Sequence, residues 1–300
     1  STSGDGPGDG SLMSEDYARS KPLETLLSGP AASVVGGVNL TGEKNAVIID
    51  MGGTTTDLAL VESGKPRLAY GGIQVGKWIT GTKSIQLKTI GLGGDSAVRV
   101  DKYKNMEIGP EKVIPLSWLS AKYPEVREEI KRIQIDEDKK IDLVHHLRDI
   151  ENEDIYTQRE RKIVSVLKED GPLSIYQLAD KLGLSIYDLR WKNLKENQII
   201  INSCLTPTDI MHVSNDFNRW DQQVAKIAAE NMASILEIEL EELCNKILSK
   251  IREKIYLEIV KLLIEDRDNK FENEIVSDKF KKLIKMGYQD YISENNLDKK

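Results

Sequence analysis

Long apolar runs are missing from this chain, and with them any ground for a membrane-spanning segment. No hydrophobic stretch approaches the ~20 consecutive apolar residues that a helix needs to cross a bilayer. Cysteine is scarce. Cys204 and Cys244 are the only two, and they form no CxxC pair and no disulfide framework, which suits a reducing compartment. A basic surplus is lacking too: 42 Lys and Arg stand against 49 Asp and Glu, a net charge of −7. That balance argues against a broad electrostatic surface for nucleic acid. Residues 1–10 are rich in Gly, Ser and Asp, without a basic start and apolar core, so no signal peptide is expected. These absences point to the cytoplasm and to no membrane partner. What is present is a chain of 300 residues, 39% hydrophobic, with mean hydropathy −0.40. That is enough for one large domain or two ordinary ones.

The stretch Asp50-Met51-Gly52-Gly53-Thr54-Thr55-Thr56-Asp57 lies between two apolar runs, 46–49 and 58–61. Two β-like runs joined through Gly-Gly predict a hairpin with an exposed tip. That tip carries a carboxylate at each end, two glycines and three hydroxyls. Glycine lets backbone N–H groups come close to an anion, and hydroxyls can join them around phosphate oxygens. A strand-end Asp suits Mg²⁺, which takes hard oxygen ligands and keeps several waters. Two readings stand side by side: a phosphate-and-metal turn, and a plain Gly-Gly hairpin. Upstream, Ser28-Gly29-Pro30 supplies a cap and an early Pro for a helix whose Ala31, Ala32, Ser33, Gly36 and Gly37 are small. Its N-terminus would aim free N–H groups at an anion, or its small residues serve tight packing alone. Strands are expected over 67–75, 85–90 and 97–100. A second glycine turn, Gly91-Leu92-Gly93-Gly94-Asp95-Ser96, precedes the last of these; by itself it does not fix a nucleotide site, because GxGG is common in hairpins.

Beyond Pro110 the composition changes. Residues 125–161 are highly charged, and Ile130, Ile133, Ile141, Val144 and Leu147 lie near helical spacing. His145 and His146, adjacent on such a helix, would point to different faces and make no chelating pair; a solvated helical face is the expectation for them. Residues 161–205 predict three helices and a strand: one around Ile163, Val166 and Leu167, a second over 173–182 closed by Gly183, and a third over 186–194 capped by Ser185. That order resembles a winged helix-turn-helix. Arg190, Lys192 and Lys195 lie in or beside the third helix, but so do Asp188 and Glu196, which favours a structural or protein-contact insertion over a DNA reader. Thr208 is a candidate helix cap, with Asp209 and His212 at i, i+3 on one side. Such a pair can share a metal or a proton, and Thr208, Asp209 and His212 are candidate substrate contacts; capping with a surface histidine is the alternative. Long amphipathic helices follow over 224–236 and 238–264.

Five motifs occur in order: Asp9-Gly10-Ser11-Leu12-Met13-Ser14, Glu24-Thr25-Leu26-Leu27-Ser28-Gly29-Pro30-Ala31-Ala32, the 50–57 stretch, Thr89-Ile90 with the 91–96 turn, and Leu205-Thr206-Pro207-Thr208-Asp209. Jointly they resemble the hydantoinase A/oxoprolinase family, whose larger members include acetone-carboxylase-type subunits. The resemblance is dense over 9–110 and clear over 204–234. It implies an α/β fold of the actin-like ATPase type, built from ribonuclease-H-like units and interrupted by the winged-helix-like insertion. A flexible tail (1–8), a family domain (9–124 with 203–300) and a helical insertion (125–202) are the expected division.

The resemblance also implies ATP and Mg²⁺ as cofactors and a small amide or carbonyl substrate. Asp50 and Asp57 would be the catalytic carboxylates, with Asp50 holding the metal. Gly52, Gly53, Thr54, Thr55 and Thr56 would contact phosphate, assisted by Ser28, Gly29, Gly91, Gly93, Gly94, Asp95 and Ser96. Phosphoryl transfer is mostly positioning and charge neutralisation, which such a set suits. Several family features are absent. There is no earlier DxGGTFTD-like hairpin, no later FGGAGPLHA-like motif and no PGPxCYG stretch. Gln86 and Lys88 stand where the family carries Asp and His, and Asp95 replaces a glycine. The chain therefore resembles the central domain alone, and another subunit or a further domain is expected to complete the cleft.

Overall fold

The computed structural model describes residues 28–69, 74–75, 78–79, 85–135, 140–265, 282 and 284–289. The chain is a mixed α/β structure and separates into two compact units, residues 1–91 with 252–300, and residues 92–251. The motif at 9–14, the expected tail and most of the chain beyond 265 lie outside the described residues. No helix among the described residues is long and apolar enough to cross a membrane.

In the first unit, helix α1 (Ser28–Thr41) precedes strands β1 (Ala46–Met51), β2 (Thr56–Glu62), β3 (Lys65–Pro66), β4 (Gln74–Val75), β5 (Trp78–Ile79) and β6 (Leu87–Ile90). Strand β2 is central. It pairs antiparallel with β1 along one side, and with β3 and β6 along the other. The turn into β3 holds Ser63 at φ 51° and Gly64 at φ 78°, the two left-handed residues that a tight primed hairpin requires. Both faces of this sheet are covered. Ala46 and Ile48 of β1, Ala59 and Val61 of β2, and Leu87 meet Ala31 and Val34 of α1. The alternate residues Val47, Leu58 and Leu60 meet Ile255, Ile259 and Leu262 of the last long helix. Gly37 lets α1 lie close: a Cβ there would stand 3.0 Å from Ile48 Cδ1. The strand expected over 67–75 reduces, among the described residues, to a bridge between Leu68 and Ile85 and the two-residue β4.

The second unit opens with the hairpin of β7 (Ser96–Val100) and β8 (Met106–Lys112). There follow β9 (Ile114–Pro115), α2 (Leu116–Lys122), α3 (Val126–Ile135), β10 (Leu143–His146), α4 (Gln158–Asp170), β11 (Leu173–Ser174), α5 (Ile175–Leu182), α6 (Lys192–Glu196), β12 (Ile200–Cys204), α7 (Pro207–Val213), α8 (Gln222–Leu236) and α9 (Leu240–Glu265), the last running past Ile251 into the first unit. One sheet has the order β11-β10-β12-β9. The segment around α4, α5 and α6 has a core of its own, built by Val144, Ile163, Leu167, Leu178, Leu194 and Ile200 among others. Its helix ends are chemically explicit. Capping boxes start α4 at Thr157 and α5 at Ser174, and Gly183 at φ 66° closes α5.

Three expectations are corrected here. The third helix does not run over 186–194: a 3₁₀ turn, Ile186–Asp188, is followed by a break at Leu189–Trp191 and then by the short α6. Its Lys192 pairs with Glu196 and its Lys195 with Glu111, so two of the basic residues already face carboxylates. The helix expected beyond Ile135 is also replaced. Val144 and both histidines lie on β10, the inner strand between β11 and β12, and pairing with a strand some 60 residues onward overrides their local spacing. Finally, His145 is not on a solvated face: it is only 9% exposed.

Burial, aided by the positive charges of Lys122 and His146, pushes the His145 imidazole down to about 4. A histidine lowered in the folded state binds its proton first in the unfolded chain. Its stabilising effect is therefore complete above the unfolded value near 6.5 and is lost as pH falls towards 4. Urea unfolding should show stability falling across that window, with His145 contributing up to ~1.4 kcal/mol per pH unit. His145→Leu should remove that part of the slope, and an unchanged slope in the variant would refute the assignment.

Candidate functional site

The 50–57 hairpin forms as expected. Gly52 donates its N–H to the Thr55 carbonyl at 2.9 Å and closes the turn. Gly52, Gly53 and Thr54 are exposed at the tip, Thr55 is half-buried, and Thr56 is buried. The register sets Asp50 directly opposite Asp57, one pair inward from Met51 and Thr56. Both carboxylates are half-buried, on the sheet face that Ile48 and Ala59 present to α1. Like charges directly opposite on neighbouring strands repel, so this end of the sheet favours a cation. β6 adds a residue that the motif alone did not reveal. Thr89 pairs with Asp57, and its hydroxyl donates to Asp57 Oδ1 at 2.5 Å. Asp50, Asp57 and Thr89 thus form one polar row across three strands.

Helix α1 reaches the same end of the unit. It is joined to β1 by the short 42–45 link and runs opposite to it, with Gly37 over Ile48. Nine helical residues back to Ser28 cover about 13 Å, as do four strand residues forward to Gly52. The backbone of Ser28 and Gly29 therefore lies towards the hairpin-turn end of β1.

The second glycine turn begins at Gly91, where the first unit ends, and its remaining residues belong to the second unit. Gly93 donates its N–H to Ser96 Oγ at 2.9 Å, and Ser96 returns its N–H to the Gly93 carbonyl at 3.1 Å. The Gly94 carbonyl accepts from the Thr208 N–H at 3.0 Å and the Thr208 hydroxyl at 2.8 Å. Burial pushes the Asp95 carboxyl up, with Lys112 opposing.

Thr208 is not the helix cap. Thr206 caps α7, with Pro207 in the first turn, and forms a reciprocal capping box with Asp209. Asp209 is fully buried and serves two helices at once. It accepts from the Thr206 N–H and hydroxyl at 3.0 and 2.8 Å, and from the N–H groups of Leu116 and Ser117 at the start of α2, at 3.2 and 2.9 Å. His212 is fully buried too, which corrects the surface histidine. Its Nδ1 bonds the Thr208 carbonyl at 2.8 Å, while Nε2 accepts the Trp220 N–H at 3.1 Å. That pair of bonds sets a neutral Nδ1–H tautomer. Asp209 and His212 are therefore occupied by protein partners, not presented to a substrate.

Among the described residues, the hairpin offers an exposed tip of Gly52, Gly53 and Thr54 with two facing carboxylates behind it. Among the described residues, no group of three or more His, Cys, Asp or Glu side chains could hold a metal ion. The oxygen set at Asp50 and Asp57 still fits Mg²⁺, because that ion keeps waters and takes ligands from phosphate.

Residues 7–114 match the family described as hydantoinase/oxoprolinase. The chain is 33% identical over 101 residues to the acetophenone carboxylase gamma subunit of Aromatoleum aromaticum (strain DSM 19018 / LMG 30748 / EbN1), covering 32% of this chain and 14% of that protein. It is 28% identical over 104 residues to the caprolactamase subunit alpha of Pseudomonas jessenii, covering 34% of this chain and 15% of that protein. The matches thus span about a seventh of these relatives. Among solved structures, nucleotide-free acetone carboxylase aligns with 81% of this chain and 25% of its own at 16% identity and a TM-score of 0.44.

The double cap at Asp209 predicts a stability effect that depends on no relative. Asp209→Ala leaves the N–H groups of Leu116, Ser117 and Thr206 without this acceptor. Chemical denaturation should show a loss of about 3 kcal/mol or more. A loss below 1 kcal/mol would mean that water or another group replaces the carboxylate.

Proposed function

We infer the function from the family to which residues 7–114 of this chain belong, hydantoinase/oxoprolinase: the chain is the central part of an ATP-dependent hydrolase acting on a cyclic amide or related carbonyl compound. The observation that carries this reading is the register of the hairpin, which sets Asp50 against Asp57 behind an exposed Gly-Gly-Thr tip. In this reading Gly52, Gly53, Thr54, Thr55 and Thr56 surround nucleotide phosphates, helped by the α1 start at Ser28 and Gly29. Asp50 holds Mg²⁺ and Asp57, steadied by Thr89, orients the nucleophile. The metal neutralises charge on the phosphates. Gly91, Gly93, Gly94 and Ser96 belong to the family pattern, and we keep them as nucleotide-side residues of the complete enzyme; Asp95, which stands where the family has a glycine, is not kept among them.

The fold of the first unit, a sheet between two helix layers, is compatible with a ribonuclease-H-like part of an actin-type ATPase. We take residues 9–124 and 203–300 as the family domain and 125–202 as its winged-helix-like insertion. The relatives are named as subunits, which supports a partner chain or further domain that completes the cleft. Calorimetric titration of Mg-ATP against the whole chain should show Mg²⁺-dependent binding, and Asp50→Ala should weaken it tenfold or more. Equal affinity in the two proteins, both folded by thermal melting, would remove the hairpin from the site.

A second reading is favoured by the separate core of the insertion and by Gln86 and Lys88 in place of the family's Asp and His. Here the chain is a non-catalytic assembly module that makes contacts through the insertion. Tyr187 and Ile155 are large apolar residues exposed at 85% and 57%. The double variant Ile155→Ser, Tyr187→Ser should then lower the mass measured by light scattering or abolish capture of a copurifying partner. No change in either would count against this role.

A further inference from the structure

Within the second unit, Asp95, Lys112, Val113, Ile114, Pro115, Trp118 and Trp220 line a cavity of about 190 Å³. Trp220 stacks on His212 with ring centroids 5.6 Å apart and meets Phe217 edge-on at 5.5 Å. With His212 held at both nitrogens, this indole is a fixed wall. Trp118 comes from α2, some 100 residues away in the chain, and is half-buried. The Lys122 ammonium lies 5.0 Å from its ring centroid, so this indole already attracts a cation within the protein. Among the described residues the Asp95 carboxylate forms no hydrogen bond or ion pair, and it is held in place through its own carbonyl, which accepts the Val113 N–H at 2.9 Å.

We propose that this cavity binds a small organic ammonium ion, with Asp95 as counter-ion and the indoles of Trp118 and Trp220 as walls. A half-buried carboxylate without a donor has lost part of its hydration and regains stability from a charged N–H partner. Burial raises its proton affinity accordingly. Indole faces attract a cation most strongly of all side-chain rings. Pro115, Ile114 and Val113 offer the apolar contact that an alkyl chain needs. Lys112 also lines the cavity, and its positive charge acts on Asp95 against the effect of burial, so it competes with an incoming ammonium while itself remaining exposed. The cavity admits an alkylammonium of a few carbons. This proposal is independent of nucleotide binding at the hairpin, and its test contains no nucleotide.

Two of the four tryptophans line the cavity, so intrinsic fluorescence reports on it. The whole chain is titrated with n-butylammonium chloride against sodium chloride at equal ionic strength, with butyrate and 1-butanol as the anionic and neutral counterparts. A saturable change with butylammonium is expected, with butyrate inert and 1-butanol weaker. Asp95→Asn, which keeps shape and removes charge, should weaken butylammonium about tenfold, the equivalent of one charge-assisted contact. Lys112→Gln, an exposed change that leaves the fold alone, should tighten it by removing a like charge. Equal binding of 1-butanol and butylammonium, an unaltered Asp95→Asn, or no response beyond that of sodium chloride would each overturn the proposal.

Discussion

The register of the β1–β2 hairpin is the constraint on which the first unit depends. Side chains alternate sides along a strand, and both sides of this sheet are buried: Ile48 and Ala59 against α1, Val47 and Leu58 against the last long helix. A slip of one residue would exchange the two apolar sets and turn Asp50 or Asp57 towards the other core. Packing on two faces therefore forces two carboxylates to stand opposite each other at the strand ends. That arrangement is electrostatically unfavourable by itself, and the surrounding core holds it in place. Thr89 relieves only one of the pair. Local conflict sustained by good packing elsewhere is the kind of exception that functional sites make to otherwise consistent sequences.

The second unit solves the opposite electrostatic problem. Here a buried carboxylate, Asp209, is matched by N–H groups from the starts of α2 and α7. Burial raises its proton affinity, while bonds from Ser117, Thr206 and Leu116 lower it. The residue thereby joins two segments almost a hundred positions apart. His212, bonded at both nitrogens, plays a comparable part for the loop that carries Phe217 and Trp220. These polar residues stabilise the fold, whereas Asp50, Asp57 and Asp95 are left with capacity for an outside partner.

Much of the local structure was legible because its causes are local. The Gly-Gly turn between two apolar runs announced β1 and β2, and Gly183 after an apolar-periodic run announced the end of α5. Thr206 was legible too, for Pro207 belongs in a first helical turn and its preceding residue is the natural cap; Thr208 was the wrong choice between two threonines. Ile141, Val144 and Leu147 show where such reading stops. Their spacing of three fits a helix, yet Leu143 and Val144 pair with Ser203 and Asn202. Nothing near them in sequence records that pairing. Thr89 escaped for the same reason, since only the register of β6 places its hydroxyl at Asp57.

The cavity beside Asp95 extends this lesson to the site. The family resemblance marks Asp95 as a departure, a carboxylate where a glycine is usual, and a sequence reading can count it only as a loss. In the fold, the same side chain stands with Trp118 and Trp220 around a cavity, brought from three separate stretches of chain. Thr208 contributes as well, because its two bonds to the Gly94 carbonyl fix the backbone next to Asp95. A glycine there would leave the indoles without a counter-charge, and the turn would be shaped only for backbone contacts. With aspartate, the turn gains a side-chain function of its own while the Gly93–Ser96 bonds preserve its path. The departure from the family pattern is thus as informative about this chain as the motifs that conform to it.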